Sequence, residues 1–83
     1  MKHYFYLARC SDGSLYAGTC LDPIAREALH NAGKGAKYTR SRSPIKIIYT
    51  ESFRTLHAAR KREMEIKRWK KTDKEILVHS AEG

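Results

Sequence analysis

Two short runs open the chain, residues 4–10 "YFYLARC" and 14–20 "SLYAGTC", with "SDG" between them. Aromatic and apolar runs around a glycine-containing turn predict a β-hairpin. The length of the loop decides which side chains share a face. A two-residue Asp12-Gly13 turn would pair Cys10 with Leu15 and set Tyr6 and Tyr16 on opposite faces. A three-residue loop, Ser11-Asp12-Gly13 with Gly13 left-handed, pairs Cys10 with Ser14 instead. That register gathers Tyr4, Tyr6, Ala8, Tyr16 and Gly18 on one face and Phe5, Leu7, Leu15 and Ala17 on the other. The second face is the cleaner apolar surface, so this register is the expectation.

Helical spacing takes over at about 21–31, where Leu21, Ile24, Ala25, Ala28 and Leu29 recur, with Asp22 as N-cap and Pro23 at the first helical position. Arg26 and His30 lie four apart and share one side, next to this stripe. Residues 32–44, "AGKGAKYTRSRSP", show no apolar periodicity and read as a long, functional loop. "IKIIYTESF" then predicts a third strand, Thr55 caps a helix over about 56–71, and Thr72 with Glu75 predicts a capping box for a last helix around 73–80. The order β-β-α-β-α-α gives an α/β (α+β) fold, a small three-stranded antiparallel sheet flanked by helices.

The helix from Leu56 breaks its own pattern. Steps of three and four along its apolar face give positions 56, 59, 63 and 66, and the residue at 63 is glutamate. Burying an unpaired carboxylate costs several kcal/mol, so Glu63 must be paired, neutralised or bound to a cation. One reading is a salt bridge to Arg60, Lys67 or Arg62, or an exposed position at the stripe's edge. The other is a ligand for Mg²⁺ or Mn²⁺, hard cations that accept one or two carboxylates plus waters and phosphate oxygens.

Composition narrows the partner. At 83 residues the sequence is read as a single domain, 1–83, and it carries 17 Lys and Arg against 9 Asp and Glu, a net charge of +8. With a pI near 9.8, a polyanion is the expected partner and nucleic acid the default. No apolar run reaches the ~18 residues of a membrane span, and the N-terminal stretch is too polar for a secretory signal, so a cytoplasmic location is expected. Cys10 and Cys20 lack C-x-x-C spacing and fit no zinc site. In either hairpin register they lie ~15–20 Å apart along the ladder, too far to bond.

Four cations, Lys34, Lys37, Arg40 and Arg42, surround Tyr38 in the 32–44 segment, and the second long helix adds Lys67 and Lys70 among others. The segment lacks the G-x-x-x-x-G-K-[ST] spacing of a P-loop, so no nucleotide cofactor is expected. Cations between glycines suit contact with a phosphate backbone, with Tyr38 available to stack on a base. Tyr6 and Tyr16 fit packing roles with a wet hydroxyl. As proton acceptors they would need a neighbouring cation to lower a phenol pKa near 10, and Arg26 is the candidate.

Together these features resemble the GIY-YIG nuclease superfamily, in particular its small single-domain UPF0213 branch. Tyr4-Phe5-Tyr6 resembles the GIY element, Tyr16-Ala17-Gly18 resembles the YIG element, and "HNAGKGAKYTRSRSPIKIIY" is similar to the branch's most typical stretch. The resemblance covers about 1–71. By motif position it implies Tyr6 and Tyr16 as the active-site tyrosines, Arg26 as the catalytic arginine and His30 one turn on. It implies Glu63, within Ala59-x-x-x-Glu63-x-x-Ile66, as the metal-binding glutamate. The function so implied is a metal-dependent endonuclease hydrolysing DNA phosphodiesters in repair or processing, using one divalent cation, with RNA left open. The alternative is a catalytically silent nucleic-acid-binding module of the same fold. A monomer is expected, or a weak homodimer through an apolar strip around Trp69.

Overall fold

The computed structural model describes residues 1–82. Strands β1 (His3–Arg9) and β2 (Leu15–Cys20) form the expected hairpin. Tyr4 stands opposite Cys20, Tyr6 opposite Gly18 and Ala8 opposite Tyr16. The loop has three residues. The Cys10 N–H donates to the Ser14 carbonyl at 2.9 Å and the Gly13 N–H to the Cys10 carbonyl at 3.0 Å. Gly13 adopts φ 84°, a conformation that side-chain-bearing residues avoid. Asp12 closes the turn by accepting from the Ser14 N–H at 3.0 Å and from its hydroxyl at 2.6 Å. Both cysteines are buried free thiols.

Strand β3 (Lys46–Phe53) pairs antiparallel with the other side of β1, giving the order β2-β1-β3. A bulge falls where Leu7 faces Tyr49 but Ala8 faces Ile47, leaving Ile48 as the extra residue. The sheet divides two layers. Phe5, Leu7 and Ala17 pack with Ile66 and Val78 of the C-terminal helices, joined by Ile48, Tyr49, Phe53, Trp69 and Leu77. Tyr6, Ala8, Cys10, Cys20 and Ile45 form the other layer, with Tyr4, Tyr16 and Ile47 at its margin.

Helix α1 (Pro23–Asn31) begins as the sequence predicts, the Asp22 carboxylate accepting from the Ile24 and Ala25 N–H groups. Its apolar stripe, however, is not the face that docks: Leu21 is 52% exposed, Ile24 84% and Leu29 39%. The helix is held by polar side chains on the unpaired margin of the sheet. Asn31 accepts from the Ile45 N–H at 2.7 Å and donates to the Ile45 carbonyl at 2.9 Å, and Glu27 accepts from the Ile47 N–H at 2.6 Å. An edge strand needs such partners. Satisfying it with the Glu27/Asn31 ridge turns the neighbouring Arg26/His30 ridge toward the tyrosine face.

The 32–44 segment is not wholly loop. It contains a one-turn helix, α2 (Lys37–Arg40), too short to show periodicity in sequence. Helix α3 (Leu56–Lys67) is capped by Thr55, whose hydroxyl accepts from the Ala58 N–H at 3.1 Å, and it ends at Lys67 rather than 71. Helix α4 (Lys71–Glu82) therefore starts before Thr72 and runs past residue 80. The expected capping box is replaced by a long-range pair. Glu75 accepts two bonds from Arg9 of β1, at 2.5 and 2.6 Å, tying α4 to the central strand.

Two outcomes follow from this architecture. Asn31→Ala leaves the Ile45 N–H and carbonyl without their partners and is expected to cost about 1–3 kcal/mol, read as a lower urea midpoint. At Gly18 an added Cβ would lie 2.5 Å from the Tyr6 hydroxyl oxygen and 2.7 Å from its Cζ, and Tyr6 is only 1% exposed. Gly18→Ala is therefore expected to cost about 1–3 kcal/mol and to shift the Tyr6 ring resonances, whereas Gly33→Ser, whose Cβ meets open space, costs backbone strain at φ 77° but leaves those resonances in place.

Candidate active site

The centre of the tyrosine layer is a hydrogen-bonded chain of buried groups. The Tyr6 hydroxyl lies 2.9 Å from His30 Nε2, and His30 Nδ1 lies 2.8 Å from Thr39 Oγ1. The Thr39 hydroxyl donates to the Ala36 carbonyl at 2.9 Å. Tyr6, His30 and Thr39 are all 2% exposed or less. Three elements meet here: β1 supplies Tyr6, α1 supplies His30 and α2 supplies Thr39.

This setting disfavours the charged form of both ionisable members. Burial pushes the Tyr6 phenol well above its ordinary value. The Tyr16 phenol, Cys20 and Glu63 push the same way, and only Arg26 opposes them. Burial, helped by the Arg26 guanidinium, holds the His30 imidazole below its ordinary value. The sequence-based expectation that Arg26 would lower a tyrosine's pKa thus has the right sign at Tyr6 but loses to desolvation.

Tyr16 sits at the outer side of this group. Its ring lies 6.4 Å from that of Tyr6 and 5.6 Å from that of His30, edge to face in the second case. Its hydroxyl has no hydrogen-bond partner among the described residues, so it is the phenol free to engage water or a ligand. Tyr38 stacks on Tyr16 at 5.9 Å and 24°, and the Arg42 guanidinium covers the Tyr38 ring at 3.9 Å. Arg42 also pairs with Asp12 at 3.0 Å and donates to the Tyr38 carbonyl at 2.8 Å. The Tyr38 ring is thus already stacked and Arg42 already paired. Lys34, Lys37 and Arg40 stand exposed around them.

Arg26 differs from every other arginine. Arg9, Arg42 and Arg62 are half-buried and ion-paired, while Arg40, Arg54, Arg60 and Arg68 are exposed. Arg26 alone is half-buried with no ion pair among the described residues. A cleft of about 350 Å³ opens against it, lined also by His3, Thr19, Cys20 and Arg60. Burial raises the Cys20 thiol's pKa, Arg26 opposing.

Glu63 lies in line between Ala59 and Ile66, both wholly buried, and its side chain is 19% exposed. It is turned inward enough for its charge to act on Tyr6. It also pairs with Lys67 at 2.7 Å, one of the salt bridges the sequence allowed. Among the described residues no three His, Cys, Asp or Glu side chains converge on one point. A cation here would have one carboxylate, and would complete its shell with water and phosphate oxygens. That donor set suits Mg²⁺ or Mn²⁺ and does not suit zinc.

Tyr6, Tyr16, Arg26 and His30 thus come together, with Glu63 within electrostatic reach. Lys70 lies exposed in the link between α3 and α4. Trp69 packs on the apolar layer with the Arg62 guanidinium 5.4 Å above it, so the exposed apolar surface nearby belongs to Met64 and Ile76. Thr39 and Gly35 escaped the sequence reading. A Cβ at Gly35 would lie 2.1 Å from His30 Nδ1, a contact created by the fold and carrying no motif of its own.

Among the described residues no helix is long and apolar enough to cross a membrane. Residues 2–76 match the GIY-YIG catalytic domain. A UPF0213 protein of Staphylococcus epidermidis is 48% identical over 77 residues, covering 93% of this chain and 94% of the relative. One from Bacillus pumilus is 46% identical over 77 residues, covering 93% of this chain and 79% of the relative. The solution structure of the UPF0213 protein of Bacillus halodurans superposes with a TM-score of 0.61 at 42% identity, over 95% of this chain and 84% of that one. A protein from E. faecalis superposes with a TM-score of 0.64 at 39% identity, over 99% and 88%. Sequence and fold agree over nearly the whole length, and the chain belongs to the GIY-YIG family, in its UPF0213 branch.

Proposed function

We propose that the protein is a divalent-metal-dependent endonuclease that hydrolyses phosphodiesters of DNA. The observation that carries this reading is Arg26: a half-buried guanidinium with no ion pair among the described residues, lining a cleft and close enough to Tyr6 for its charge, like that of Glu63, to act on the phenol. Leaving such a cation unpaired is costly unless a ligand supplies the anion. A phosphate fits, and membership of a nuclease-type family agrees with it.

In this reading Arg26 binds a non-bridging oxygen of the scissile phosphate and offsets charge that grows in the transition state. Tyr16, whose hydroxyl is free, orients the attacking water. The water oxygen bonds to phosphorus as the ester P–O bond breaks, and the leaving oxygen takes its proton from solvent. The water's proton passes to the Tyr6 oxygen while the Tyr6 proton moves to neutral His30. Glu63 would hold Mg²⁺ or Mn²⁺, which when bound supplies Lewis-acid stabilisation of the phosphate. Lys34, Lys37, Arg40 and Lys70 are placed to hold flanking phosphates, so binding weakens steeply with salt. Lys67 joins them once it is released from Glu63.

The Glu63–Lys67 pair favours a second reading, a catalytically silent nucleic-acid-binding module in which lysine neutralises the carboxylate permanently. The two part on metal. A nuclease nicks plasmid or branched DNA with Mg²⁺ or Mn²⁺, stops with EDTA, and loses about 10²–10³-fold in rate on Glu63→Ala. Equal cleavage by wild type and Glu63→Ala removes the mechanism. Salt-sensitive binding with no cleavage, indifferent to metal, establishes the silent module.

The depressed His30 pKa has a second consequence. The unfolded chain takes up a proton near the ordinary value of about 6.5, before the folded chain does, so stability is full above that pH and falls as pH drops toward the lower folded value. Urea midpoints measured between about pH 7.5 and 5.5 are expected to fall in the wild type and to fall less in His30→Gln.

A further inference from the structure

The buried chain from Ala36 to Tyr6 has a direction, and the direction comes from a backbone atom. The Ala36 carbonyl can only accept. It receives the Thr39 hydroxyl at 2.9 Å, while also accepting from the Thr39 and Arg40 N–H groups at 3.1 and 3.2 Å. Thr39 has one hydroxyl proton, so toward His30 Nδ1, 2.8 Å away, its oxygen can only accept. Nδ1 must then carry the imidazole proton. A neutral imidazole has one N–H, which leaves Nε2 bare and facing the Tyr6 hydroxyl at 2.9 Å.

The opposite arrangement fails at the far end. With the proton on Nε2, the imidazole would donate to the Tyr6 oxygen, and the Tyr6 proton would have no acceptor among the described residues. Tyr6 is 1% exposed, and no buried side-chain polar atom lacks a partner among the described residues. Only the Nδ1–H tautomer satisfies every group in the chain.

We propose that Thr39 is the positioning residue of this site: by giving its hydroxyl proton to the Ala36 carbonyl it holds the His30 proton on Nδ1 and presents bare Nε2 to Tyr6. The role in turnover rests on the nuclease reading above, in which His30 receives the Tyr6 proton. The tautomer assignment itself stands on the geometry alone. Two local features serve this placement. Helix α2 is a single turn, long enough to bring the Thr39 side chain back over the carbonyl of its own N-cap residue, Ala36. Gly35 lets the backbone lie flush against the imidazole, where a Cβ would sit 2.1 Å from Nδ1 and displace the ring from Thr39. The loop's glycine and threonine thus act on chemistry two side chains away.

The test uses the ¹⁵N-labelled full chain and reads the His30 ring nitrogens by long-range ¹H–¹⁵N correlation at about pH 7.5, above the ordinary histidine value. Wild type is expected to show a protonated Nδ1 and a bare Nε2. Thr39→Val, which keeps the shape and removes the acceptor, shifts the proton toward Nε2 and lowers nicking about 10²-fold, the low end of what a positioned proton transfer contributes. Thr39→Ser, which keeps the hydroxyl, restores both. A bare Nδ1 in the wild type overturns the proposal, and so does a Thr39→Val protein whose tautomer is unchanged. Should Thr39→Val fail to fold, Thr39→Ala, which removes the same acceptor, is read in its place, and a tautomer unchanged from wild type overturns the proposal. A wild type that cuts nothing removes the nuclease reading, while the nitrogen resonances of wild type and variant compared still decide the part played by Thr39.

Discussion

The structure turns on a phenol buried in the middle of a sheet. Tyr6 occupies the central strand, has neighbours on both sides, and is almost wholly shielded from solvent. A buried hydroxyl needs a partner, and the ring needs somewhere to lie. Gly18 answers the second need by having no side chain directly across the ladder. His30 answers the first, but only because α1 is fastened to the sheet margin by Asn31 and Glu27. The imidazole in turn needs Thr39, and Thr39 needs a one-turn helix and a glycine beside it. Much of the irregular 32–44 segment is accounted for by this regress from one hydroxyl.

The two faces of the sheet divide the tasks. One is closed by α3 and α4 over Phe5, Leu7 and Ala17 and is apolar throughout its centre. In so short a chain, which buries only ~60% of its unfolded surface, that layer must supply most of the hydrophobic stabilisation. The other face substitutes phenols, an imidazole and a threonine for aliphatic side chains. The buried ones, Tyr6, His30 and Thr39, must each be satisfied, which favours a single arrangement over a repackable core. Helix α3 serves both faces: Ala59 and Ile66 are buried, and Glu63 between them is placed where its charge reaches Tyr6.

The parts legible in sequence were those with local causes. A left-handed glycine and an aspartate fixed the hairpin loop, and with it the face shared by Tyr6 and Tyr16. Asp22 and Thr55 announced their helices because capping acts within three residues. The misreadings came from partners distant along the chain. Glu75 looked like a capping residue for Thr72, yet Arg9, 66 positions away, claims it. The apolar stripe of α1 pointed to a buried face, yet an edge strand's unpaired backbone groups selected the polar ridge instead. Thr39 lay within the stretch that resembles the branch, but nothing singled it out, since its meaning depends on where His30 arrives.

Charge shows the same dependence on the fold. A net +8 says only that a polyanion would be attracted. The fold sorts the cations. Arg62 spans Glu51 and Glu65 under the sheet, where Glu51 also accepts from Tyr49 and, after burial, helps raise that phenol's pKa to about 12. Arg9 binds α4, and Arg42 fastens the Tyr38–Tyr16 stack to the hairpin loop. These three arginines are anchored by neighbouring acids. Arg26, half-buried like them, has no such anchor among the described residues and lines an open cleft. A fold that pairs each of its other half-buried arginines leaves this one without an ion pair among the described residues, close enough to the buried Tyr6–His30 pair for its charge to act on both.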